Sequence, residues 1–416
     1  MTRKNIGRRE FVGGTAAAGG ALWALTPTAR VLGANDRVRL GIIGAGARGQ
    51  DLIAQALKLP NVELVAVADV YTRRHDEVRK VAPGASAFSE PRQLLELKDV
   101  DAVLVASPLH CHARHFLDTV AAGKDLYSEK TMTWSIPEAE ACRAAAQRSD
   151  RVIQIGLQHV STGAFADARQ WVKDGLVGKI TSVESWMSRN TPRGHGQWVR
   201  AVPSACTAEN VKWDLFLNGR PERPFDAFKF INWRLFWEFS GGNITENMVH
   251  QMSWIMGLLD LPLHVAAHMS GGVYSEKDGR EVPDTIAVTF DFPDDLVVTW
   301  QSTFSNSHYG LGERVLGSHG TIERLSGATD MVTGRLTSGW RYYPEKANRA
   351  DGTVLPGQAA EQDHMANFID CVRSRKQPNA PVEIGYRTAV AAHMANLAYR
   401  QRRRVTKEEA LAVGGQ

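Results

Sequence analysis

Cysteine is scarce in this chain, with four in 416 residues, at Cys111, Cys142, Cys206 and Cys371. No two of them form a C-x-x-C pair and their spacings match no zinc site, which excludes a fold clipped by a structural metal. A run of about 18 apolar residues, the minimum for a membrane-spanning helix, is also missing. So is the compositional bias of a disordered chain: 43% of the residues are apolar and 23% charged, the balance of an ordinary globular protein. Basic surplus is confined to one end. The net charge is +4, and residues 1–34 alone carry Arg3, Lys4, Arg8, Arg9 and Arg30 against Glu10. The remainder is therefore charge-balanced, without the clustered basic face that binding nucleic acid requires.

That end is distinctive. Gly7-Arg8-Arg9-Glu10-Phe11-Val12 is an R-R-x-F motif, and Val12 to Leu25 is rich in glycine and alanine and uncharged. This is the layout of a twin-arginine export signal. Residues 1–34 are expected to be a signal peptide read by the twin-arginine translocase, either cleaved after Ala29 or Ala34, neither of which closes a clean A-x-A site, or retained as an anchor. The destination would be the periplasm or another extracytoplasmic space. Substrates of that route fold in a reducing cytoplasm, so all four cysteines are expected as free packing thiols.

Residues 35–160 alternate between strand and helix patterns. Strands are expected at Val38–Ile43, Val62–Ala68, Ala102–Ala106, Asp125–Ser128 and Val152–Leu157, with helical stretches between them. That alternation means βαβ units and a parallel sheet. Residues 161–416 read differently. Strand-like runs at Ile180–Trp186, Val265–Met269, Thr285–Phe292, Leu296–Phe304 and Arg314–Leu316 have no helices alternating with them, which predicts a mostly antiparallel sheet. Helices are expected at Phe165–Asp174, Glu246–Leu259, Glu361–Ser374 and Tyr386–Arg400, and residues 325–358 read as glycine-rich loops. The fold class is α/β: a doubly wound Rossmann sheet followed by a second α/β domain with a large open sheet.

The turn after the first strand is Gly44-Ala45-Gly46-Ala47-Arg48-Gly49, and Asp69 ends the second strand 20 residues after Gly49. In this strand–turn–helix context the G-x-G-x-x-G loop is a dinucleotide-binding fingerprint. Gly44 serves the tight turn, Gly46 lets the backbone approach a pyrophosphate, and Gly49 packs the helix against the strand. Asp69 would accept hydrogen bonds from the ribose hydroxyls and repel a 2′-phosphate. The expected cofactor is NAD, with NADP possible because Arg73 and Arg74 lie close by.

Ser107-Pro108-Leu109-His110-Cys111-His112 and Glu129-Lys130 each follow a strand of the parallel sheet. They should border the crevice beyond the strands' carboxyl ends, where ligands of such sheets bind. His110, His112 and His115 lack an acidic partner and a third ligand signal, so no metal is expected. In Gly241-Gly242-Asn243-Ile244-Thr245-Glu246-Asn247-Met248-Val249-His250, Thr245 reads as a helix N-cap. Glu246 and His250 are then one turn apart. That spacing suits a carboxylate orienting a histidine base and equally suits a surface pair. The segment Ser188–Trp237 holds Arg189, Arg193, His195, Trp198, Trp213, Trp233, Arg234 and Trp237. Such faces and forks suit a carbohydrate, and Arg234 is the substrate-binding candidate.

The series GIIGAGARG, AD at Asp69, SPLHCH, AAGKDLYSEK, GLVGKI and GGNITENMVH, in this order, resembles the Gfo/Idh/MocA family. That family is named after glucose–fructose oxidoreductase, inositol dehydrogenase and a rhizopine catabolism protein. The likeness covers nearly all of 36–405. It implies a homo-oligomer, dimer or tetramer, built on the open sheet. It also implies a catalytic lysine at Lys130 and an acid/base at His250 with Glu246 beside it. Ala47, Arg48, Ser107, Pro108, His112 and Glu129 would join the glycines and Asp69 around the cofactor, and Lys130, His250 and Arg234 would meet the substrate.

Two positions depart from the family pattern. Thr131 stands where relatives have a proline whose preceding bond is often cis, and Glu246 stands where they usually have Asp. An exported enzyme meets no free NAD pool, so the resemblance implies a cofactor held tightly and regenerated in place. Three functions follow from it. One is hydride transfer to and from a hydroxyl carbon of a sugar or sugar derivative, and another is a redox-neutral NAD-dependent glycosidase or lyase. The third is a dinucleotide-binding sensor without catalysis.

Overall fold

A computed structural model describes residues 37–190, 195–329, 336–345, 352–360 and 362–413. The Arg8-Arg9 motif, the rest of 1–34, and Arg193 lie outside the described residues. The N-terminal sheet has six parallel strands: β1 (Val38–Ile43), β2 (Val62–Ala68), β3 (Ser86–Phe88), β4 (Ala102–Val105), β5 (Asp125–Ser128) and β6 (Ile153–Ile155). Their order, β3-β2-β1-β4-β5-β6, is doubly wound. Every residue of β4 and β5 is buried, as expected when helices cover both faces of a parallel sheet. The strand order reverses between β1 and β4, and a crevice opens there beyond their carboxyl ends.

The helices begin where their residues dictate. Ser135 caps Ile136–Gln147 through a full capping box with Glu138, and Pro137 occupies the first turn, where a missing N–H costs nothing. The helix Ala47–Ala56 starts at Gly46, which offers no side-chain cap. Its first N–H groups therefore remain available to a ligand.

The second sheet has nine strands: β7 (Ile180–Ser188), β8 (Ala266–Gly272), β9 (Thr285–Phe292), β10 (Leu296–Thr303), β11 (Leu311–Gly317), β12 (Gly320–Thr329), β13 (Leu336–Pro344), β14 (Thr353–Leu355) and β15 (Val405–Thr406). All neighbours run antiparallel except β7 and β10, which are parallel. Along β9 and β10 every second residue is buried, so one face meets the core and the other stays open. On the buried face the Gln251 amide is fully engaged. It donates to Trp186 O, Gly312 O and Glu313, and it accepts from Trp300 Nε1 at 2.7 Å.

Residues 325–358 are not long loops. They contribute the end of β12 and all of β13 and β14. Their glycines weaken the strand periodicity, and pairing of β12 with β11, β13 with β12 and β14 with β13 supplies the order instead. β3 escaped the sequence reading because three residues leave no period to detect. The chain also returns to its first domain late. Met365, Phe368 and Ile369 of the helix His364–Ser374 share a core with Leu40 and Leu104, and Arg375 Nη2 reaches Asp125 at 2.9 Å. All four cysteines are buried and free.

One buried group weakens this frame. His264, fully buried, packs between Phe290 and Phe292 at ring distances of 5.0 and 5.8 Å. Neither of its ring nitrogens has a hydrogen-bond partner. Burial, with Lys407 nearby, pushes its pKa from 6.5 down to about 3. The folded protein keeps the ring neutral, whereas the unfolded chain gains a proton there once pH falls below 6.5. Stability is therefore lost as pH drops from 6.5 toward 3, by up to about 1.4 kcal/mol per pH unit. His264→Leu is expected to raise the denaturation midpoint, with a gain that is larger at pH 5 than at pH 8. Urea titrations at both pH values check this, and a gain equal at the two would contradict it.

Candidate active site

Each glycine of the loop has its own structural reason. Gly44 has φ +87°, and a Cβ there would lie 2.6 Å from Ser107 N, so only glycine makes this turn. A Cβ on Gly49 would lie 2.2 Å from Gly44 O, which shows how closely helix and strand approach. A Cβ on Gly46 would meet nothing within 4 Å, so this position faces open space. Beside it lie the uncapped N–H groups of Ala47–Ala56, the arrangement that binds a pyrophosphate.

Asp69 has a second task that its position at the strand end does not announce. One oxygen accepts from Ala45 N at 2.7 Å and the other from Tyr71 N at 2.8 Å. The carboxylate thus pins the glycine loop while facing a pocket of about 210 Å3 lined by Gly44, Val70, Ser107, Pro108 and Phe216. The arginines that might welcome a 2′-phosphate are committed. Arg73 and Arg74 both bind Glu77, Arg92 binds Glu90 and Arg114 binds Asp118.

A second cleft, of about 490 Å3, brings together Arg48, Ser107, His112, Glu129, Lys130, Arg234, Glu246 and His250. Lys130, at the end of β5, reaches across to the second domain. Its Nζ donates to Glu246 O at 2.8 Å and to Glu246 Oε2 at 3.3 Å, and its side chain is 14% exposed. An ammonium has three donors, so one remains for a ligand. The Lys130–Thr131 peptide is cis although no proline follows. In proline's place Thr131 offers a hydroxyl, which donates to Thr245 O at 2.6 Å. Adjacent residues of one domain thus bind adjacent carbonyls of the other.

Those carbonyls belong to a π-helical turn, Ile244–Met248, that leads into the α-helix Val249–Leu258. Turns of this kind recur at functional sites. Thr245 is accordingly not an N-cap. Its hydroxyl accepts from Gly241 N and donates to Gly242 O.

The expected Glu246–His250 pairing is not formed. Glu246 Oε2 is taken by Arg234 Nε at 3.0 Å as well as by Lys130. The physical reason is charge: two cations within ion-pair distance outbid a neutral imidazole, and the widened turn no longer sets the two side chains one α-helical turn apart. Burial raises the Glu246 carboxyl, but Lys130 and Arg234 outweigh it and hold it below the usual range. His250 is left with Nδ1 unpartnered and its ring 5.1 Å from that of His159. Burial, then Lys130, His159, Arg48 and Arg189, push its pKa well below 6.5. His159, which nothing in the sequence singled out, is driven to about 4 by burial and Arg324.

The remaining candidates support the frame. Glu129 accepts from Arg48 Nε at 2.8 Å and from Lys130 N at 3.2 Å. His112 bridges Thr131 O at 2.7 Å and Ser107 O at 2.8 Å, and Pro108 lines the adjoining pocket. His110 and His115 bond to Phe216 O and Ser107 Oγ, and no metal-binding cluster occurs among the described residues. Of the described tryptophans in that segment only Trp233 lines the cleft, together with Arg189 and with Arg234, which stacks 4.2 Å over the Trp233 ring. Trp198, Trp213 and Trp237 pack against Phe304, Phe216 and Tyr399.

With the neighbouring arginines paired, NAD is expected to bind at least about tenfold more tightly than NADP, because a 2′-phosphate must break an ion pair or face Asp69. Asp69→Ala, which frees the glycine loop, is expected to weaken NAD by a similar factor and to narrow the preference. Fluorescence titration with both dinucleotides checks this, and an unchanged preference in the variant would contradict it.

Comparison with known proteins agrees with this geometry. Residues 38–157 match the family model described as oxidoreductase family, NAD-binding Rossmann fold, and residues 215–406 match its C-terminal alpha/beta domain. Over 151 residues the chain is 34% identical to an inositol 2-dehydrogenase/D-chiro-inositol 3-dehydrogenase of Shouchella clausii, covering 34% of this chain and 42% of that relative. A scyllo-inositol 2-dehydrogenase (NAD(+)) of Bacillus subtilis is 28% identical over 148 residues, again covering 34% of this chain and 42% of the relative. The chain thus spans less than half the length of the curated relatives it matches. Among solved structures, the aldose-aldose oxidoreductase of Caulobacter crescentus superposes with a TM-score of 0.67 at 18% identity, covering 89% of this chain and 99% of that one. At that identity the likeness speaks for the fold. With both domain models matched in order across most of its length, the chain belongs to the Gfo/Idh/MocA oxidoreductase family, and its first domain is an NAD-binding Rossmann domain.

Proposed function

We propose that this protein is an exported oxidoreductase that moves hydride between tightly held NAD and a hydroxyl-bearing carbon of a sugar or polyol. The observation that carries the reading is Lys130: an ammonium pinned by Glu246, with one donor uncommitted, in the same cleft as a neutral His250. The names of the inositol dehydrogenase relatives support the substrate class.

Gly44, Gly46, Ala47, Gly49 and Asp69 would hold the dinucleotide, and Arg48 with Glu129 would border its nicotinamide end. When bound, the nicotinamide supplies the acceptor for the hydride released as the CH–OH carbon becomes a carbonyl. Lys130 holds the reacting oxygen and stabilises the charge that develops on it. His250 takes the hydroxyl proton through its unpartnered Nδ1, on a ring that burial and neighbouring cations keep neutral. Trp233 and Arg234 form the wall against which a sugar ring packs.

Export rests on Arg8-Arg9 and the uncharged stretch behind them. Outside the cytoplasm a released cofactor would be lost, so export and tight binding belong together. The open face of the second sheet is the surface on which a homo-oligomer would form.

Lys130→Ala is expected to lower kcat by at least about 100-fold. The reduced-nicotinamide absorbance band, followed as sugars and inositols are added, reads this out, and full activity in the variant would remove Lys130 from the mechanism. The acid limb of the kcat/KM profile is expected well below pH 6.5, because His250 is already neutral there. A limb at or above pH 6.5 would rule out His250 as the base. Replacing both Arg8 and Arg9 by Lys is expected to strand the protein in the cytoplasm, and undiminished recovery in the periplasmic fraction would refute twin-arginine export.

A further inference from the structure

The cleft carries more positive than negative side chains. Its lining carries four cations, Arg48, Lys130, Arg189 and Arg234, and two carboxylates, Glu129 and Glu246. Arg48 is bound to Glu129 at 2.8 Å, and Lys130 and Arg234 share Glu246 at 3.3 and 3.0 Å. Arg189 is left over. It directly follows β7, and its backbone N–H is tied to Thr303 O at 2.9 Å, so its Cα is fixed at the ends of the two parallel strands. Its side chain is half-buried in the cleft wall, yet among the described residues its guanidinium makes no hydrogen bond or ion pair. A half-buried cation without a partner is costly, and enzymes retain such groups where a ligand completes them.

We propose that Arg189 receives a carboxylate on the substrate, so that the cleft selects an acidic sugar, a uronic or aldonic acid, over its neutral parent. The inference rests on reading the cleft as the place where a sugar hydroxyl is oxidised. The guanidinium fork matches the two oxygens of a carboxylate. Arg189 is the one cation of the four without a carboxylate partner, and a substrate carboxylate supplies it. The surroundings of His250 agree. The charged side chains that act on it, Lys130, Arg48 and Arg189, are all cations, and an anionic substrate supplies the missing counter-charge. Burial also lowers the Arg189 pKa with no carboxylate to offset it.

Calorimetric titration of the NAD-loaded protein tests this. Glucuronate, galacturonate and gluconate are each compared with glucose or galactose, and with glucose 6-phosphate. At least one acid is expected to bind about tenfold or more tightly than its parent, and Arg189→Met to remove that advantage. Arg189→Lys, which keeps the charge without the fork, is expected to retain part of it, and it serves as the test should Arg189→Met fail to fold. The proposal is overturned if every acid binds no better than its parent, if the advantage survives undiminished in Arg189→Met or in Arg189→Lys, or if glucose 6-phosphate binds more tightly than every carboxylate. Selective acid binding with no reduced nicotinamide formed would instead overturn the redox reading and leave Arg189 in place. Oxidation of neutral and acidic sugars alike would do the reverse.

Discussion

The structure turns on a tether between its two domains. Lys130 Nζ and the Thr131 hydroxyl, at the end of a Rossmann strand, bind the carbonyls of Glu246 and Thr245 in the π turn of the second domain. The bond from Lys130 is charge-assisted, a class that contributes about 1.5–3 kcal/mol. Both polar groups would otherwise be buried without a partner, which costs as much again. Because the two bonds come from adjacent residues, they fix orientation as well as distance. His112 extends the tether by bridging Thr131 O to the loop at Ser107. The cleft is the space this tether leaves open.

From it the electrostatics follow. Glu246, 7% exposed on its side chain, is held ionised by Lys130 and Arg234. That commitment leaves His250 without a carboxylate. A histidine that depends on burial and neighbouring cations remains neutral, ready to accept a proton but poor at keeping one. The cofactor side is organised in the same manner, with one half-buried carboxylate, Asp69, serving both the glycine loop and the pocket beyond it. In each domain a single acidic residue joins architecture to chemistry.

The first domain was legible in the sequence because each of its signals is local. Apolar runs of four to seven residues and a fingerprint loop need no knowledge of distant partners, and Asp125–Ser128 and Val62–Ala68 lie where their residues predict. The failures share one cause. β13 and β14 gain their order from neighbouring strands, which a linear pattern does not reveal. The Glu246–His250 spacing assumed an α-helix, whereas the turn is π and the carboxylate is claimed by cations 12 and 116 residues away. His159 reaches the cleft from an unremarkable stretch after β6. Thr131 is the instructive case. The sequence marked it as a departure from relatives, and the structure gives its hydroxyl a partner across the domain boundary.

The central claim is that hydrogen leaves a CH–OH carbon in this cleft for the NAD held by the first domain. The most direct measurement is isotopic. The NAD-loaded protein is incubated with carbon-deuterated glucose, galacturonate and myo-inositol, and the cofactor is recovered and weighed by mass spectrometry. Deuterium in the recovered cofactor from at least one of them is the predicted result. Unlabelled cofactor from all three would contradict the account.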